Sequence, residues 1–517
     1  MEPSADVILA AISHLKNNKA AGTDEICGEL FKYGNDELKT KLVDLIKRIW
    51  NEEEMPEEWE TAIYIPLHKK GDRSVCSNYR GLSILNIGYK LLASVLFKVL
   101  YPYYRDCIGN YQAGFIASKS TIDNIFIVRQ LSEKYREYGQ SAWHMFIDYA
   151  QAYDSVHRDS LWNVLRFFGV PEKLVRVIKA CYRSTKGKVR VGGLHTETFQ
   201  VETGLKQGCP LSCALFNMVL EWILRRTPTQ GDPIRLTNGV TVDRLAYADD
   251  VDFLGELFVP RDQQMSTFRV ESRRAGLEVK EGKTKLMLTS RIARDVDFAD
   301  VGGLMLEFVD EFKYLRSSVT ADNDMMAEVL VRISAASKCS WALKKVIGSR
   351  TLSRTTKVQA YATLIRPIAT YACETWCLTK EMERVLLVFE HRILRRILGP
   401  VRDAATGEWR IRHNAELREL TRLSPITSFI RAQRLRWAGH VARFPESSLV
   451  KQVSLSRPLG QRPPGRPRLR WEDNVRSDLA LLDVADPENW REMAQDRQRW
   501  RQLVVAAKDH PGLLLRE

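Results

Sequence analysis

Apolar residues recur every three or four positions in several long stretches of the chain, which is the spacing of an amphipathic helix. One stretch begins at Asn35, a candidate N-cap, and stops before Pro56, where a helix cannot readily continue. Residues 120–137 and 158–182 repeat the pattern. Another stretch ends at Gly399, a typical residue just past a helix C-terminus. The pattern therefore predicts a substantial helical content.

Short apolar runs between these stretches have the length of buried strands. Two of them are "WHMFID" (143–148) and "RLAYADDVDFLG" (244–255). A third, "TAIYIPLH" (61–68), alternates briefly and contains Pro66, which predicts an edge strand because proline cannot donate to a sheet ladder. The chain is thus expected to combine helices with short strands.

Composition and charge narrow the class of protein. The 517 residues are 44% hydrophobic and 27% charged, which is typical of globular domains. A formal net charge of +14 points to an anionic partner, and nucleic acid is the commonest one. The N-terminal segment resembles neither a secretory signal nor a membrane span, so we expect an intracellular protein, nuclear or cytoplasmic, that is not secreted and not inserted in a membrane. The nine cysteines include no CxxC pair, which favours simple thiols.

Three aspartates lie at the ends or in the middle of the apolar runs. Asp249 and Asp250 belong to "YADD", and Asp148 comes directly after "MFI". Ionised carboxylates in such surroundings are costly without a partner, and a divalent cation is one partner that compensates them. If the two runs are neighbouring strands, Asp148 and Asp249 form an all-oxygen site of the kind that Mg²⁺ prefers, which suits phosphoryl transfer. The alternative is that these acids are turn residues or helix caps.

A series of short motifs carries a resemblance to a known family. In chain order they are "NNKAAGTDEI" (17–26), "IPLHKKGDRSVCSNYRGLSIL" (65–85), "QAGFIASKSTIDNIF" (112–126), "MFIDYAQAYDSVHRDSLW" (145–162), "GLKQGCPLSCALFN" (204–217), "LAYADD" (245–250), "GLEVKEGKTKLM" (276–287) and "FKYLRSSVT" (312–320). This order resembles that of the reverse transcriptases of LINE-type, non-LTR retrotransposons. "YATLIRPIATYACETW" (361–376), "RLRWAGHVARF" (434–444) and "GRPRLRW" (465–471) resemble segments that follow the polymerase in these elements.

The resemblance implies roles for the residues at matching positions. Asp148 and Asp249 correspond to the metal-binding aspartates, and Asp250 corresponds to the third acid of the catalytic set. Tyr153 matches the aromatic residue that packs against the sugar of the incoming nucleotide and excludes a 2′-hydroxyl, with an ordinary core tyrosine as the alternative. For the other nucleotide-binding candidates the alternatives are a solvated basic loop or a plain turn. These candidates are Arg80, Lys69, Lys70, Gln207, Gly208 and Lys283, the last of which matches a lysine proposed to assist pyrophosphate departure.

The same resemblance implies a right-hand polymerase of the α+β class. It divides the chain into an N-terminal helical region (1–60), fingers and palm (61–320), a helical thumb (321–400) and a basic C-terminal extension (401–517). The implied reaction is addition of deoxynucleotides to a DNA or RNA primer on an RNA template. Two Mg²⁺ ions, or Mn²⁺ in their place, would be the cofactors. The enzyme would act as a ribonucleoprotein with its template.

Three positions depart from the usual pattern of the family. Ile116 stands where arginine is usual, Lys280 where asparagine is usual before "KTK", and Arg316 where glycine usually follows "FKYL". A lost cation weakens contact with template or nucleotide, and an arginine in a tight turn strains the hairpin. An inactive or co-opted remnant that binds RNA is therefore the alternative function. A maturase or viral RNA polymerase is a more distant one, since Tyr153 disfavours ribonucleotides. The usual upstream endonuclease is expected to be missing, and with it any nicking activity.

Arginine and tryptophan alternate in the C-terminal part of the chain. Guanidinium groups pair with phosphates and aromatic faces stack on unpaired bases, so Arg434, Trp437, Arg466 and Arg470 are candidates for nucleic-acid contact. A solvated basic helix with a disordered linker is the alternative. The Pro/Gly/Arg-rich segment 456–471 reads as that linker, and a small helical unit is expected after it.

Overall fold

The computed structural model describes residues 2–229, 233–256, 262–291 and 295–509, which form a mixed α+β structure. Its strands are β1 (Thr61–His68), β2 (Tyr79–Ile84), β3 (Ala142–Ile147), β4 (Lys186–Val191), β5 (Leu194–His195), β6 (Phe199–Gln200), β7 (Ile234–Arg235), β8 (Thr241–Val242), β9 (Arg244–Tyr247), β10 (Asp250–Gly255), β11 (Lys285–Thr289), β12 (Phe298–Asp300), β13 (Met305–Phe308), β14 (Glu311–Tyr314), β15 (Ser317–Thr320), β16 (Val401–Arg402) and β17 (Trp409–Arg410).

The described helices are more numerous in the C-terminal half, and the longest is α4 in the N-terminal half. They are α1 (Ala5–Ser13), α2 (Gly28–Tyr33), α3 (Asp36–Glu52), α4 (Ile87–Cys107), α5 (Thr121–Glu137), α6 (Ala152–Ser155), α7 (Arg158–Phe167), α8 (Glu172–Ala180), α9 (Pro210–Arg226), α10 (Asp262–Arg274), α11 (Met325–Ala342), α12 (Lys344–Gly348), α13 (Arg354–Ala360), α14 (Arg366–Ala369), α15 (Lys380–Leu398), α16 (Asn414–Thr421), α17 (Ile426–Arg443), α18 (Leu449–Leu455), α19 (Trp471–Ala480), α20 (Trp490–Met493) and α21 (Arg497–Asp509). Short 3₁₀ turns span Glu57–Trp59, Cys76–Asn78, Glu281–Lys283 and Cys373–Thr375, and a π-helical turn spans Tyr361–Ile365.

A six-stranded sheet, which we call the central sheet, has the order β12-β13-β11-β3-β10-β9. Neighbouring strands within this sheet are antiparallel, except that β11 and β13 are parallel. Every residue of β3 is buried, because Trp143, Met145 and Ile147 pack into the apolar core on one face while Ala142 and Phe146 pack into a second core on the other. A strand covered on both faces has no need of polar alternation, which explains the unbroken apolar run that predicted it.

A second sheet has the order β2-β1-β4-β5, with β6 also paired to β4. The prediction that residues 61–68 form an edge strand is wrong, because β1 lies between β2 and β4. The proline is tolerated because β4 pairs only with Thr61 to Tyr64, so Pro66 lies where β1 has a single neighbour.

The helix predictions are mostly confirmed at their ends. Asn35 caps α3 by accepting the backbone N–H of Leu38 at 3.0 Å, and Gly399 follows α15 with a φ of +73°. The stretch 158–182 is two helices rather than one, since α7 ends before Gly169, which has a φ of +72°, and Pro171 caps α8. None of the described helices is both long enough and apolar enough to cross a membrane.

The Pro/Gly/Arg-rich segment 456–471 is bound along its length, so it is not a free linker. Lys134 on α5 donates to the carbonyl oxygens of Ser454 at 2.9 Å and Ser456 at 2.7 Å. At the other end, the backbone N–H of Trp471 donates to Glu133 at 2.9 Å. We call residues 456–471 the strap, because they cross α5 and connect it to the last three helices.

Candidate active site

The three aspartates singled out by the sequence meet at one edge of the central sheet. Asp148 directly follows β3, and Asp250 begins β10. The two strands are antiparallel neighbours with Ile147 opposite Val251, so the register continues with Asp148 opposite Asp250. Asp249 lies in the two-residue turn between β9 and β10, where Tyr247 pairs with Asp250. A turn, rather than a continuous strand, lets both adjacent carboxylates reach the same edge.

A buried glutamine holds that turn. Ala248 has a φ of +55°, and its backbone N–H donates to the side-chain oxygen of Gln112 at 2.9 Å. The same oxygen accepts the N–H of Gly114 at 2.7 Å. A Cβ at Gly114 would stand 2.3 Å from the Ala248 nitrogen, so only glycine permits this approach. The sequence analysis missed Gln112 as a positioning residue, although its motif was recognised.

Like charges crowd at this edge. Burial, together with the carboxylates of Asp249 and Asp148, raises the pKa of Asp250 to about 7. Burial also raises the pKa of Asp249, with Asp148 adding to the shift and Arg80 and Lys283 opposing it. The Lys283 ammonium lies 3.1 Å and 3.4 Å from the two carboxylate oxygens of Asp148. The three carboxylates therefore carry more negative charge than the one contacting lysine offsets.

The donor atoms at the edge suit a hard cation, because they are carboxylate oxygens whose mutual repulsion a cation relieves. As they are arranged here, these carboxylates do not form a complete coordination site. Among the described residues, no three His, Cys, Asp or Glu side chains are arranged to hold an ion together. Asp148 instead contacts Lys283, which supplies the cationic partner.

A second group of predicted residues surrounds Asp154, next to the acids. The Gln207 amide donates to Asp154 at 2.9 Å. Burial raises the pKa of Asp154, and Gln207, Lys69 and Arg80 oppose that shift. The structure thus brings Gln207 into contact with Asp154, with Arg80 and Lys69 close enough to act on the charge of that carboxylate. Asp154 is a residue that sequence reasoning missed, although it lies in the same motif as Tyr153.

The remaining nucleotide-binding candidates have different surroundings. Gly208 has a φ of +104°, and a Cβ there would meet the Ser83 carbonyl oxygen at 3.0 Å, which explains the need for glycine. Tyr153 is half-buried and stacks on Phe216 with ring centroids 4.5 Å apart. Its hydroxyl is buried beside the Cys213 thiol, and burial raises its pKa, with Cys213 and Asp249 adding to the shift. Lys70 is exposed on the loop after β1.

Residues 67–318 match the family model described as reverse transcriptase (RNA-dependent DNA polymerase). This part of the chain belongs to the reverse transcriptase family. Reverse transcriptases in general use divalent metal ions, which agrees with the carboxylate edge. All the acids discussed above lie inside the matched residues.

Several curated proteins from transposable elements are similar to the chain. It is 25% identical over 293 residues to the transposon TX1 uncharacterized 149 kDa protein of Xenopus laevis, covering 56% of this chain and 22% of that protein. A putative uncharacterized transposon-derived protein of Caenorhabditis elegans is 28% identical over 277 residues, covering 52% of this chain and 96% of that protein. The RNA-directed DNA polymerase from mobile element jockey of Drosophila funebris is 23% identical over 402 residues, covering 75% and 43%. The chain therefore spans about a fifth of the TX1 protein and under half of the jockey polymerase.

The three departures from the usual motifs have distinct surroundings in the reverse transcriptase domain. Ile116 is half-buried against the apolar core. Lys280 has an exposed side chain, while its backbone N–H donates to the Asp148 carbonyl oxygen at 2.8 Å. Arg316 has a φ of +69° in the two-residue turn between β14 and β15, which confirms that it occupies a conformation that glycine favours.

Two C-terminal candidates are buried and cannot contact nucleic acid in this structure. Arg434 is 2% exposed and donates to Asp478 at 2.7 Å, and Trp437 is packed edge-on against Phe126 at 5.6 Å. The prediction that these two residues bind nucleic acid is wrong, because a buried acid and an aromatic core satisfy them. Arg466 is exposed, and Arg470 is half-buried with Asp473 and Glu137 as partners.

Proposed function

We propose that the chain is an RNA-directed DNA polymerase, which adds deoxynucleotides to a primer 3′-hydroxyl on an RNA template. The observation that carries the proposal is the meeting of Asp148, Asp249 and Asp250 at one sheet edge, within residues that match the reverse transcriptase family. Burial and the neighbouring carboxylates raise the pKa of Asp249 and of Asp250, so the site carries excess negative charge, as phosphoryl transfer assisted by divalent metal ions requires.

We assign the parts of a right-hand polymerase to the described elements. The central sheet is the palm, since it carries the acids. The second sheet, with the basic loop between β1 and β2, forms the fingers. Helices α11 to α15 form the thumb, within residues 321–400, and residues 401–517 form the C-terminal extension. The N-terminal helices within residues 1–60 precede the fingers.

The chain's own residues have separable roles in this reaction. Asp148 and Asp249 would hold two Mg²⁺ ions, with Mn²⁺ as a substitute, and Asp250 would complete the acid set. Bound ions of this kind would activate the attacking hydroxyl and stabilise the leaving pyrophosphate. Gln112 keeps the Asp249 turn in place through the Ala248 N–H. Lys283, 3.1 Å from Asp148, orients that carboxylate, and we assign to it the donation of a proton to departing pyrophosphate.

We assign selection of the nucleotide to a pocket formed by the residues around Asp154. Arg80, Lys69 and Lys70 supply positive charge for the triphosphate. Gln207 and Gly208 form the turn against which the nucleotide lies, and the glycine permits close backbone approach. Tyr153, held by its stacking on Phe216, closes the space that a 2′-hydroxyl would need. The pocket is therefore suited to deoxynucleotides.

The test is primer extension by the purified chain on an RNA template with dNTPs and Mg²⁺, compared with NTPs. We expect extension with dNTPs and a loss of at least about a thousandfold for Asp249→Asn, because electrostatic and metal-assisted stabilisation of the transition state contributes several kcal/mol. Asp44→Asn is the matched control, since Asp44 is exposed on α3.

Two results would contradict the proposal. Persistent synthesis by Asp249→Asn would remove the metal assignment. A wild-type chain that binds RNA but extends no primer would support the alternative of an inactive retrotransposon remnant, for which Arg316 in its left-handed turn is the motivating observation.

A further inference from the structure

A large groove lies between the strap and the C-terminal half of α5. It has a volume of about 860 Å³ and is also lined by residues 322–325, at the start of α11. Six arginines face it, namely Arg136, Arg291, Arg462, Arg466, Arg468 and Arg470. We call it the arginine groove. Its acidic lining residues are Glu133, Glu137, Asp322 and Asp324, so arginines outnumber acids.

Two of the arginines are already neutralised. Arg462 and Arg470 lie 3.1 Å and 3.5 Å from the same carboxylate oxygen of Glu137. Glu137 thereby contacts both ends of segment 462–470. These contacts fix the strap against α5 and shape one wall of the groove, and they do not call for an external ligand.

Three other arginines contact backbone carbonyl oxygens instead of carboxylates. Arg136 donates to the Ser290 oxygen at 2.6 Å, Arg291 to the Arg136 oxygen at 2.8 Å, and Arg468 to the Asp322 oxygen at 3.4 Å. In the part of the chain that the structure describes, none of the three has an ion pair with an acid. Burial lowers the pKa of Arg136, as do Arg468 and Arg291, while Asp322 opposes the shift. The three guanidinium groups are thus close together and under-neutralised.

The groove is remote from the carboxylate edge. Ser290 and Arg291 directly follow β11, whose last residue, Thr289, pairs with Ala142 at the start of β3. Asp148 follows the other end of that six-residue strand. At about 3.3 Å per residue, the two sites lie roughly 20 Å apart along the sheet. A ligand in the groove would therefore not occupy the catalytic site.

We propose that the arginine groove binds the phosphate backbone of RNA, as a second RNA-binding site apart from the catalytic edge. Guanidinium groups recognise phosphate oxygens with two parallel hydrogen bonds, and clustered ones need an anion. No aromatic residue lines the groove among the described residues, so base stacking is absent and recognition follows the backbone rather than the sequence. The choice of RNA over other polyanions rests on the proposed function.

The test compares two double variants that each remove two positive charges. Arg291→Gln with Arg468→Gln alters the groove, and Lys41→Gln with Arg48→Gln alters exposed positions on α3. Binding of a fluorescent RNA hairpin is measured between 50 and 200 mM salt. We expect the groove variant to bind roughly tenfold or more weakly and its salt slope to fall by about 2, since each lost phosphate contact lowers the slope by about 0.9. The α3 variant should match the wild type.

The measurements are repeated in the Asp249→Asn background, so that a failure of the polymerase assignment does not affect them. Thermal melting checks that the groove variant is folded, and Arg468→Gln alone serves if the double variant is not. With Asp249 intact, the groove variant should extend a saturating, pre-annealed primer–template as the wild type does. Equal RNA affinity and salt slope in the groove and α3 variants would overturn the proposal. The proposal would also be overturned by an acidic peptide that binds the wild-type chain but not the groove variant and does not displace RNA.

Discussion

Two clusters of charged side chains in this molecule follow opposite rules. At the edge of the central sheet, Asp148, Asp249 and Asp250 lie together, and Lys283 makes the one ion pair with the group that the structure shows among its described residues. In the C-terminal core, Asp478 accepts from Arg434 at 2.7 Å and lies 3.1 Å from Arg431, which is also 3.3 Å from Glu383. The first cluster has an excess of negative charge at the ends of two strands. The second pairs two arginines with two acids away from water.

The difference shows why burial and charge must be considered together. A balanced buried cluster has its partners within the chain, so its removal affects folding. An unbalanced cluster at a rim is costly to the folded chain alone and becomes favourable when an external ion or ligand binds. The excess charge therefore marks the carboxylate edge as the candidate functional site, whereas the Arg434 cluster has its partners within the chain, although both contain residue types common at active sites.

The largest effect on stability is expected from Asp478→Ala. It leaves Arg431 and Arg434 buried without their shared acid, which should lower the free energy of unfolding by about 3–5 kcal/mol. Chemical denaturation measures the change. Glu278→Ala is the control, because Glu278 pairs with Arg273 in solvent, with side chains 58% and 56% exposed. Equal unfolding midpoints for the two variants would contradict the contrast between buried and exposed pairs.

A smaller effect is expected from Gln112→Ala, which acts on the turn rather than on the acids. The substitution leaves the buried N–H groups of Gly114 and Ala248 without their acceptor, at a cost of about 1–3 kcal/mol. Because the Asp249 turn loosens, the rate of primer extension should fall more than the affinity for dNTP. Gln359→Ala, on the exposed side of α13, should change neither quantity. A purely structural role would lower stability without changing the extension rate of the folded fraction.

A further effect is a pH dependence of stability centred on Asp250. Its pKa is about 7 in the folded chain and 3.8 as the ordinary value, so between these values the folded state binds the proton more tightly than the unfolded state. In metal-free buffer, the contribution of Asp250 to stability is therefore lost as the pH rises from about 4 to about 7. Asp250→Asn should melt higher than the wild type at pH 8, and the difference should shrink at pH 5. An unchanged difference would show that Asp250 does not titrate in this range.

Much of the central sheet around the acids could be predicted from the sequence because its signals are local. A strand covered on both faces needs consecutive apolar residues, so "MFI" before Asp148 and the run around "YADD" were recognisable. The resemblance of the motifs then predicted which acids come together. Their register, and the turn that brings Asp249 to the same edge as Asp250, could only be seen in the fold.

The predictions that failed depended on distant partners. Arg434 and Trp437 lie in an Arg/Trp-rich stretch that is the same in sequence whether it binds RNA or fills a core, and the acid that decides the matter lies 44 residues later. The role of Gln112 depends on a contact across 136 residues. The edge position expected for β1 failed for a similar reason, since its second neighbour, β4, follows more than a hundred residues later.

The attachment of the strap to α5 has a consequence for synthesis of the protein on the ribosome. Glu133 accepts a hydrogen bond from the N–H of Trp471, which is 338 residues away in sequence. Phe126 on the same helix packs against the Trp471 ring, with centroids 4.9 Å apart. This face of α5 therefore stays uncovered until residue 471 has been translated. Contacts this distant in sequence form late and slowly, so a ribosome that stops before residue 471 releases a chain with an exposed apolar surface that chaperones bind.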